Sequence, residues 1–204
     1  MLRAYRSTPI LYHDLFRDAS FWAFLFSIDR DLAKTAREQA CPCGGRLHSA
    51  KYPRKPRGGS KNLPESYGSR LSFCCDRDGC RKRVTPRSVR FLGRKVYLAA
   101  VVVLVAAMRQ GPSPARVREL SQLFGADRQT IARWRTFWEE QFPQTQFWKL
   151  ARGRLVPRVS VEVLPLALVN AYLGRGDPCQ DWDDLLQFLS PITTSGGMAI
   201  EVSR

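Results

Sequence analysis

The sequence predicts a mainly α-helical chain with a small zinc-ribbon β insertion, followed by a helix-turn-helix bundle. Three observations lead there. The cysteines gather in two tight groups, Cys41 with Cys43 and Cys74, Cys75 with Cys80, and glycines sit beside both groups. Helical apolar periodicity flanks that insertion on both sides. Positive charge concentrates within it: residues 46–95 hold 15 Lys+Arg against 3 Asp+Glu, leaving a surplus of 12 out of the chain's +15.

Composition narrows the function classes. A hydrophobic content of 44% over 204 residues excludes a wholly disordered chain. So large a positive charge points to a polyanionic partner, and arginine dominates it, the residue whose planar fork suits phosphate and guanine. The longest apolar run, Val96 to Met108, is 13 residues, and a bilayer span needs roughly 20. The start "MLRAYRSTPILYHDLF" is broken by polar residues and Pro9, so no secretory signal or membrane association is expected. A cytoplasmic location follows, where six cysteines act as metal ligands rather than disulfides.

Four segments follow in order. Residues 1–39 form an N-terminal helical segment: an irregular lead-in to about 18, then a helix over 20–39 opened by Ser20. Phe21, Phe24, Leu25, Ile28, Leu32 and Ala36 share one face as core or interface, with Arg30, Lys34 and Arg37 on others. Residues 40–92 form a ribbon-like basic module, with short strands such as "RLSFC" and a turn-rich "KYPRKPRGGSKNLPESYG". It holds too little apolar surface to fold by burial alone. Residues 93–142 form the helix-turn-helix domain. An apolar helix over 96–108 stops at "RQGPSP", a second runs from Ser113 or Pro114 to Phe124, and a third, capped by Asp127, runs to about Gln141. Residues 143–204 form a C-terminal helical extension, with short helices in "LPLALVNAYLG" and "WDDLLQFLSP" and a disordered tail. These helices either form a dimer surface or cover the core.

The two cysteine groups read as knuckles, C-P-C-G-G and C-C-x4-C, some thirty residues apart. Two knuckles at hairpin turns can supply four thiolates in a tetrahedron around a structural zinc, with no open position for catalysis. The spacing departs from C-x2-C in both. Five thiols and His48 compete for four places. The favoured set is Cys41, Cys43, Cys75 and Cys80, with Cys74 next and His48 last. Cys75 gains because Leu71, Phe73 and Cys75 share one face of a strand of period two. Cys179 stands alone as a structural thiol.

"PARVRELSQLFGADRQTIARWRTFW", residues 114–138, has helix-turn-helix spacing. Ser121 is the small residue at the helix crossing, Gly125 sits in the turn, and Ile131 and Trp134 pin the second helix to the first. The outward face then carries Arg128, Gln129, Thr130, Arg133 and Arg135. Arg128 and Arg133 match guanine and Gln129 matches adenine, while Thr130 and Arg135 suit phosphate. Arg54, Lys55 and Arg57 in the loop, with Arg81, Lys82 and Arg83 after the second knuckle, would add salt-sensitive phosphate grip.

The order of knuckles, "CRKRVTP", an apolar helix and a helix-turn-helix ending "TIARWRTFW" resembles the N-terminal DNA-binding region of insertion-sequence transposases and related bacterial mobile-element proteins. There, a ribbon with a basic C-R-[KR]-R-x-T exit precedes a helical DNA-binding module. The resemblance covers about residues 40–142 and implies terminal-repeat or promoter DNA as ligand. It brings no catalytic domain. The acids Asp177, Asp181, Asp183 and Asp184 fall within eight residues, which suits the N-terminal cap of a helix rather than a dispersed metal-binding triad.

The expectation is therefore a non-enzymatic, zinc-stabilised, sequence-specific binder of double-stranded DNA. It would serve as a transposition accessory factor or regulator, acting as a homodimer or with a transposition partner protein. The alternatives are a truncated or divergent transposase or nuclease subunit, and an RNA-binding module.

Overall fold

The computed structural model describes residues 18–56, 63–92, 97–106, 122, 125, 127–155 and 159–194. The expected helix over 113–124, with Ser121, lies outside them except for Gln122, as do Arg57 and the tail beyond Thr194.

Helix α1 spans Ala19–Glu38. Its cap is Asp18 rather than Ser20: the Asp18 carboxylate accepts the Ser20 N–H at 2.8 Å and the Ser20 hydroxyl at 2.6 Å. A carboxylate outcompetes a hydroxyl here because it is ionised and favours the positive helix end. The buried line runs through Phe21, Trp22, Leu25, Asp29 and Ala33. Phe24, Ile28 and Leu32 are only half-buried, so the inward face is rotated from the expected stripe and includes an acid.

The ribbon follows. Strands β1 (Leu47–Ser49), β2 (Tyr52–Pro53), β3 (Ser69–Arg70), β4 (Phe73–Cys75) and β5 (Arg83–Val84) form two small antiparallel sheets. One has the order β1-β4-β5 and the other pairs β2 with β3. Leu47 lies opposite Cys75 and His48 opposite Cys74, while Phe73 pairs with Val84. A minor apolar cluster of Ala33, Leu47, Leu71 and Phe73 joins α1 to the sheet around Cys41 and Cys75.

The described part of the apolar helix, α2, is Ala99–Ala106. Its valines are poor helix formers alone. Burial overrides this: Val101 and Val103 are fully buried, as is the preceding Leu98, and each such side chain gains about 1.5–3 kcal/mol from leaving water. Helix α3 spans Arg128–Thr136 with Asp127 as cap, and its hydrogen bonding widens to π geometry over Phe137–Gln141. A 3-10 turn, Phe142–Gln144, carries the helical run past the expected end near Gln141. A short helix the sequence reading missed, α4 (Gln146–Ala151), is capped by Thr145. The two expected C-terminal helices are α5 (Leu166–Tyr172) and α6 (Pro178–Leu189). Asp177 caps α6, and Asp181 closes the turn before it by accepting the Gly174 and Arg175 N–H groups at 2.6 and 2.8 Å.

One apolar cluster takes in Trp22, Tyr67, Val102, Trp134, Trp148 and Trp182. Residues from every expected segment meet there. The C-terminal helices therefore cover the core.

At the junction of α1 and the ribbon lies a buried polar network. Asp29 accepts from the Ser88 hydroxyl, the Val89 N–H and the Arg90 Nε, each at 2.7 Å. The Arg90 guanidinium also donates to the Ser66 and Ser69 carbonyls and stacks on Phe26, Tyr67 and Phe91. Arg70 donates to the Pro86 carbonyl at 2.6 Å. Burial holds its pKa below the usual arginine value, against the pull of Asp29. A buried charge persists only when paired and hydrogen-bonded in this way.

Candidate metal centre and basic surfaces

Cys41, Cys43, Cys75 and Cys80 come together, and their sulfurs all lie within 4.8 Å of one another. Cys41 approaches Cys80 at 3.7 Å and Cys43 approaches Cys75 at 3.5 Å. Four thiolates about 2.3 Å from a central zinc would stand about 3.8 Å apart. The donor set therefore suits a tetrahedral metal.

Local backbone chemistry builds each knuckle. In the first, Gly44 donates to the Cys41 carbonyl at 2.8 Å and Cys41 to the Gly45 carbonyl at 3.2 Å. In the second, Cys80 donates to the Arg77 carbonyl at 3.1 Å, and the Arg77 N–H points at the Cys75 sulfur at 3.4 Å. Gly44, just after Cys43, and Gly79, just before Cys80, have φ +83° and +81°, a region that costs other residues roughly 1–2 kcal/mol. Gly45 is required for space: a Cβ there would lie 2.5 Å from the Cys75 sulfur. The knuckles are also tied to each other. Asp76 accepts the Arg46 N–H at 2.9 Å, and the Arg77 guanidinium donates to the Cys43 carbonyl.

The sulfurs share their charge unevenly. The Gly45 N–H, and then the neighbouring thiols, hold the Cys43 pKa down to about 6. The Arg77 N–H lowers the Cys75 thiol, but burial and the three adjacent sulfurs overcome it and push the pKa up to about 12. Crowded sulfur ligands of this kind ionise together when a cation sits among them.

Strand alternation sends the two competing groups elsewhere. Cys74 lies on the face of β4 opposite to Phe73 and Cys75, and its thiol donates to the Arg81 carbonyl at 3.4 Å. His48, across from Cys74, meets the Asp76 carboxylate at 3.2 Å. The His48 hydrogen bond in turn holds the Asp76 carboxyl below its ordinary value.

The described part of the basic loop and the knuckle exit form one surface around Tyr52. The Arg54 guanidinium lies 4.4 Å from its ring centroid and that of Arg83 lies 5.4 Å away. Arg83 also donates to the Ala50 carbonyl at 2.9 Å, and Arg81 pairs with Asp78 at 3.0 Å. Lys55 and Lys82 are exposed. The role of Tyr52 was missed in the sequence. Its signal was an aromatic two residues before Arg54 in a strand.

On α3, Ile131 and Trp134 are buried while Arg128, Gln129 and Arg133 are exposed. Among the described residues Trp134 packs on Tyr97, with ring centroids 5.3 Å apart. Gly125, at φ +61°, marks a left-handed turn just before the helix. Arg133 donates to the Gln129 side chain at 3.1 Å, Thr130 serves the Asp127 cap through its N–H at 2.6 Å, and Arg135 lies 3.6 Å from Glu139.

No family model, curated protein or solved structure matches this chain. Among the described residues, no helix is long and apolar enough to cross a membrane.

Proposed function

We propose that this chain is a non-enzymatic, zinc-stabilised, sequence-specific DNA-binding protein of a bacterial mobile element, a transposition accessory factor or regulator. The observation that carries the reading is the division of α3. Ile131 and Trp134 are buried in the core, while Gln129 and Arg133 on the far side and Arg128 at the first turn are exposed to solvent. In a recognition helix the N-terminal residues reach base edges in the major groove. Arg128 and Arg133 would take guanine and Gln129 adenine, with the Arg133–Gln129 bond setting both side chains before contact. Thr130 and Arg135 would hold phosphate, joined by Arg54, Lys55, Arg57, Arg81, Lys82 and Arg83.

The metal's role is structural. Cys41, Cys43, Cys75 and Cys80 would hold zinc as an all-thiolate set, which leaves no position for a reacting water. The metal would fix both ends of the basic insertion and so aim it.

The test is selection of a duplex from genomic fragments, then titration of that duplex. Arg128→Ala and Arg133→Ala are each expected to remove about 1–3 kcal/mol of discrimination at one base position. Arg54→Ala should weaken all duplexes alike and lower the salt slope by about 1. If both α3 variants keep full specificity, the helix assignment is wrong.

A further inference from the structure

A groove of about 490 Å³ runs between α1 and the ribbon. Its walls carry Arg30, Lys34 and Arg37 from α1 and Lys51 from the segment after β1, and among the described residues no carboxylate lines it. Its floor is apolar, formed chiefly by Phe26, Leu71 and Phe73. Positions 26, 30, 34 and 37 recur at helical spacing, so the three α1 cations rise one per turn over about 10 Å. All four cations are exposed, and among the described residues none has a side-chain ion pair or hydrogen bond. The Arg90 guanidinium, 4.7 Å from the Phe26 ring centroid, fixes that ring where it lines the groove.

Each feature narrows the occupant. A row of cations without counter-charges calls for an anion with repeated charge. An apolar, aromatic floor gives nothing to inorganic phosphate but suits the face of a base. The volume is that of a small-molecule site, which a nucleotide can enter and a duplex cannot. Cationic walls beside an aromatic platform are the general form of single-strand binding sites.

We propose that this groove holds a single-stranded segment of nucleic acid. Its phosphates run along Arg30, Lys34, Arg37 and Lys51, and an unpaired base rests on Phe26, Leu71 and Phe73. This site is separate from α3 and stands whether or not α3 reads duplex DNA.

Fluorescence anisotropy with a labelled oligothymidylate and with a duplex of mixed sequence tests the proposal on the full chain. Lys34→Glu with Arg37→Glu is expected to weaken the single strand about tenfold or more, with the duplex changed no more than about twofold. Lys51→Glu, on the opposite wall, should act in the same direction without touching α1. Arg128→Ala with Arg133→Ala should leave the single strand unaffected. Ultraviolet cross-linking should label peptides containing Phe26 or Phe73. Equal weakening of single strand and duplex would reduce the groove to bulk charge and overturn the proposal. Unchanged single-strand affinity, or cross-links confined to residues 127–136, would do the same. Displacement of the oligothymidylate by polyglutamate of equal charge would overturn it in favour of an acidic peptide.

Discussion

Asp29 of α1 and Arg90 beyond the ribbon form a fully buried ion pair, with the carboxylate oxygen 2.7 Å from Nε. The pair joins the helix that lines the groove to the segment that leads into the core. The Asp29 carboxylate also takes the Ser88 hydroxyl and the Val89 N–H, so neither charge is left short of partners.

Removing one side of that pair strands the other. Asp29→Ala is expected to cost about 3–5 kcal/mol in urea unfolding. Asp29→Asn should also be strongly destabilising, because its amide leaves Arg90 uncompensated. A loss under about 1 kcal/mol would mean that water reaches Arg90 and that the network is not sealed.

Elemental analysis is expected to find one zinc per chain. Cys43→Ser and Cys75→Ser should lose it, while Cys74→Ser, whose sulfur bonds the Arg81 carbonyl instead, should keep it. Chelation should expose the small cluster of Leu47, Leu71 and Phe73 to solvent and leave the larger aromatic core folded. Full metal retention in Cys75→Ser would move the site elsewhere.

Gly45→Ala places a methyl group 2.5 Å from the Cys75 sulfur. The backbone must shift to relieve it, and metal affinity should fall by roughly 10–100-fold, as when the support of a ligand is lost. Competition with a chromophoric chelator measures this. Gly68→Ala, where a Cβ meets nothing within 4 Å, is the matched control.

The α3 cap is expected to fail in acid. The Thr130 N–H holds the Asp127 carboxyl below its ordinary value. A depressed folded pKa stabilises above the unfolded value, about 3.9, and that contribution disappears as pH falls through the folded value. The stability gap between the native chain and Asp127→Ala should therefore be full near neutrality and close below about pH 4. A gap that widens in acid would contradict the cap.

The elements legible in sequence were those fixed by local rules. Period-two alternation separated Cys75 from Cys74, knuckle glycines marked the turns, and the spacing of Ile131 and Trp134 gave the inward side of α3. Other features depended on partners far along the chain. Asp29 sits in an apolar line because Arg90, Ser88 and Val89 wait there, and no window around residue 29 contains them. Arg30, Lys34 and Arg37 were legible only as lying off the apolar face of α1, and Lys51 and Phe73 become their neighbours only once the ribbon folds against the helix. Helix α4 is six residues long, too short for periodicity to separate from a loop, although Thr145 ahead of Trp148 was its signal.

The long-range bonds also set an order of events on the ribosome. Asp29 emerges 61 residues before Arg90, a wait of roughly 3–12 s at ordinary synthesis rates. The Ser88 N–H, which donates to the Thr193 hydroxyl, is separated from it by 105 residues, adding roughly 5–21 s. Metal capture needs only the chain as far as Cys80. The four cysteines can therefore come together while Asp29 of α1, within 3.6 Å of Arg70, still lacks Arg90, and the apolar core is completed only after α6 has been made.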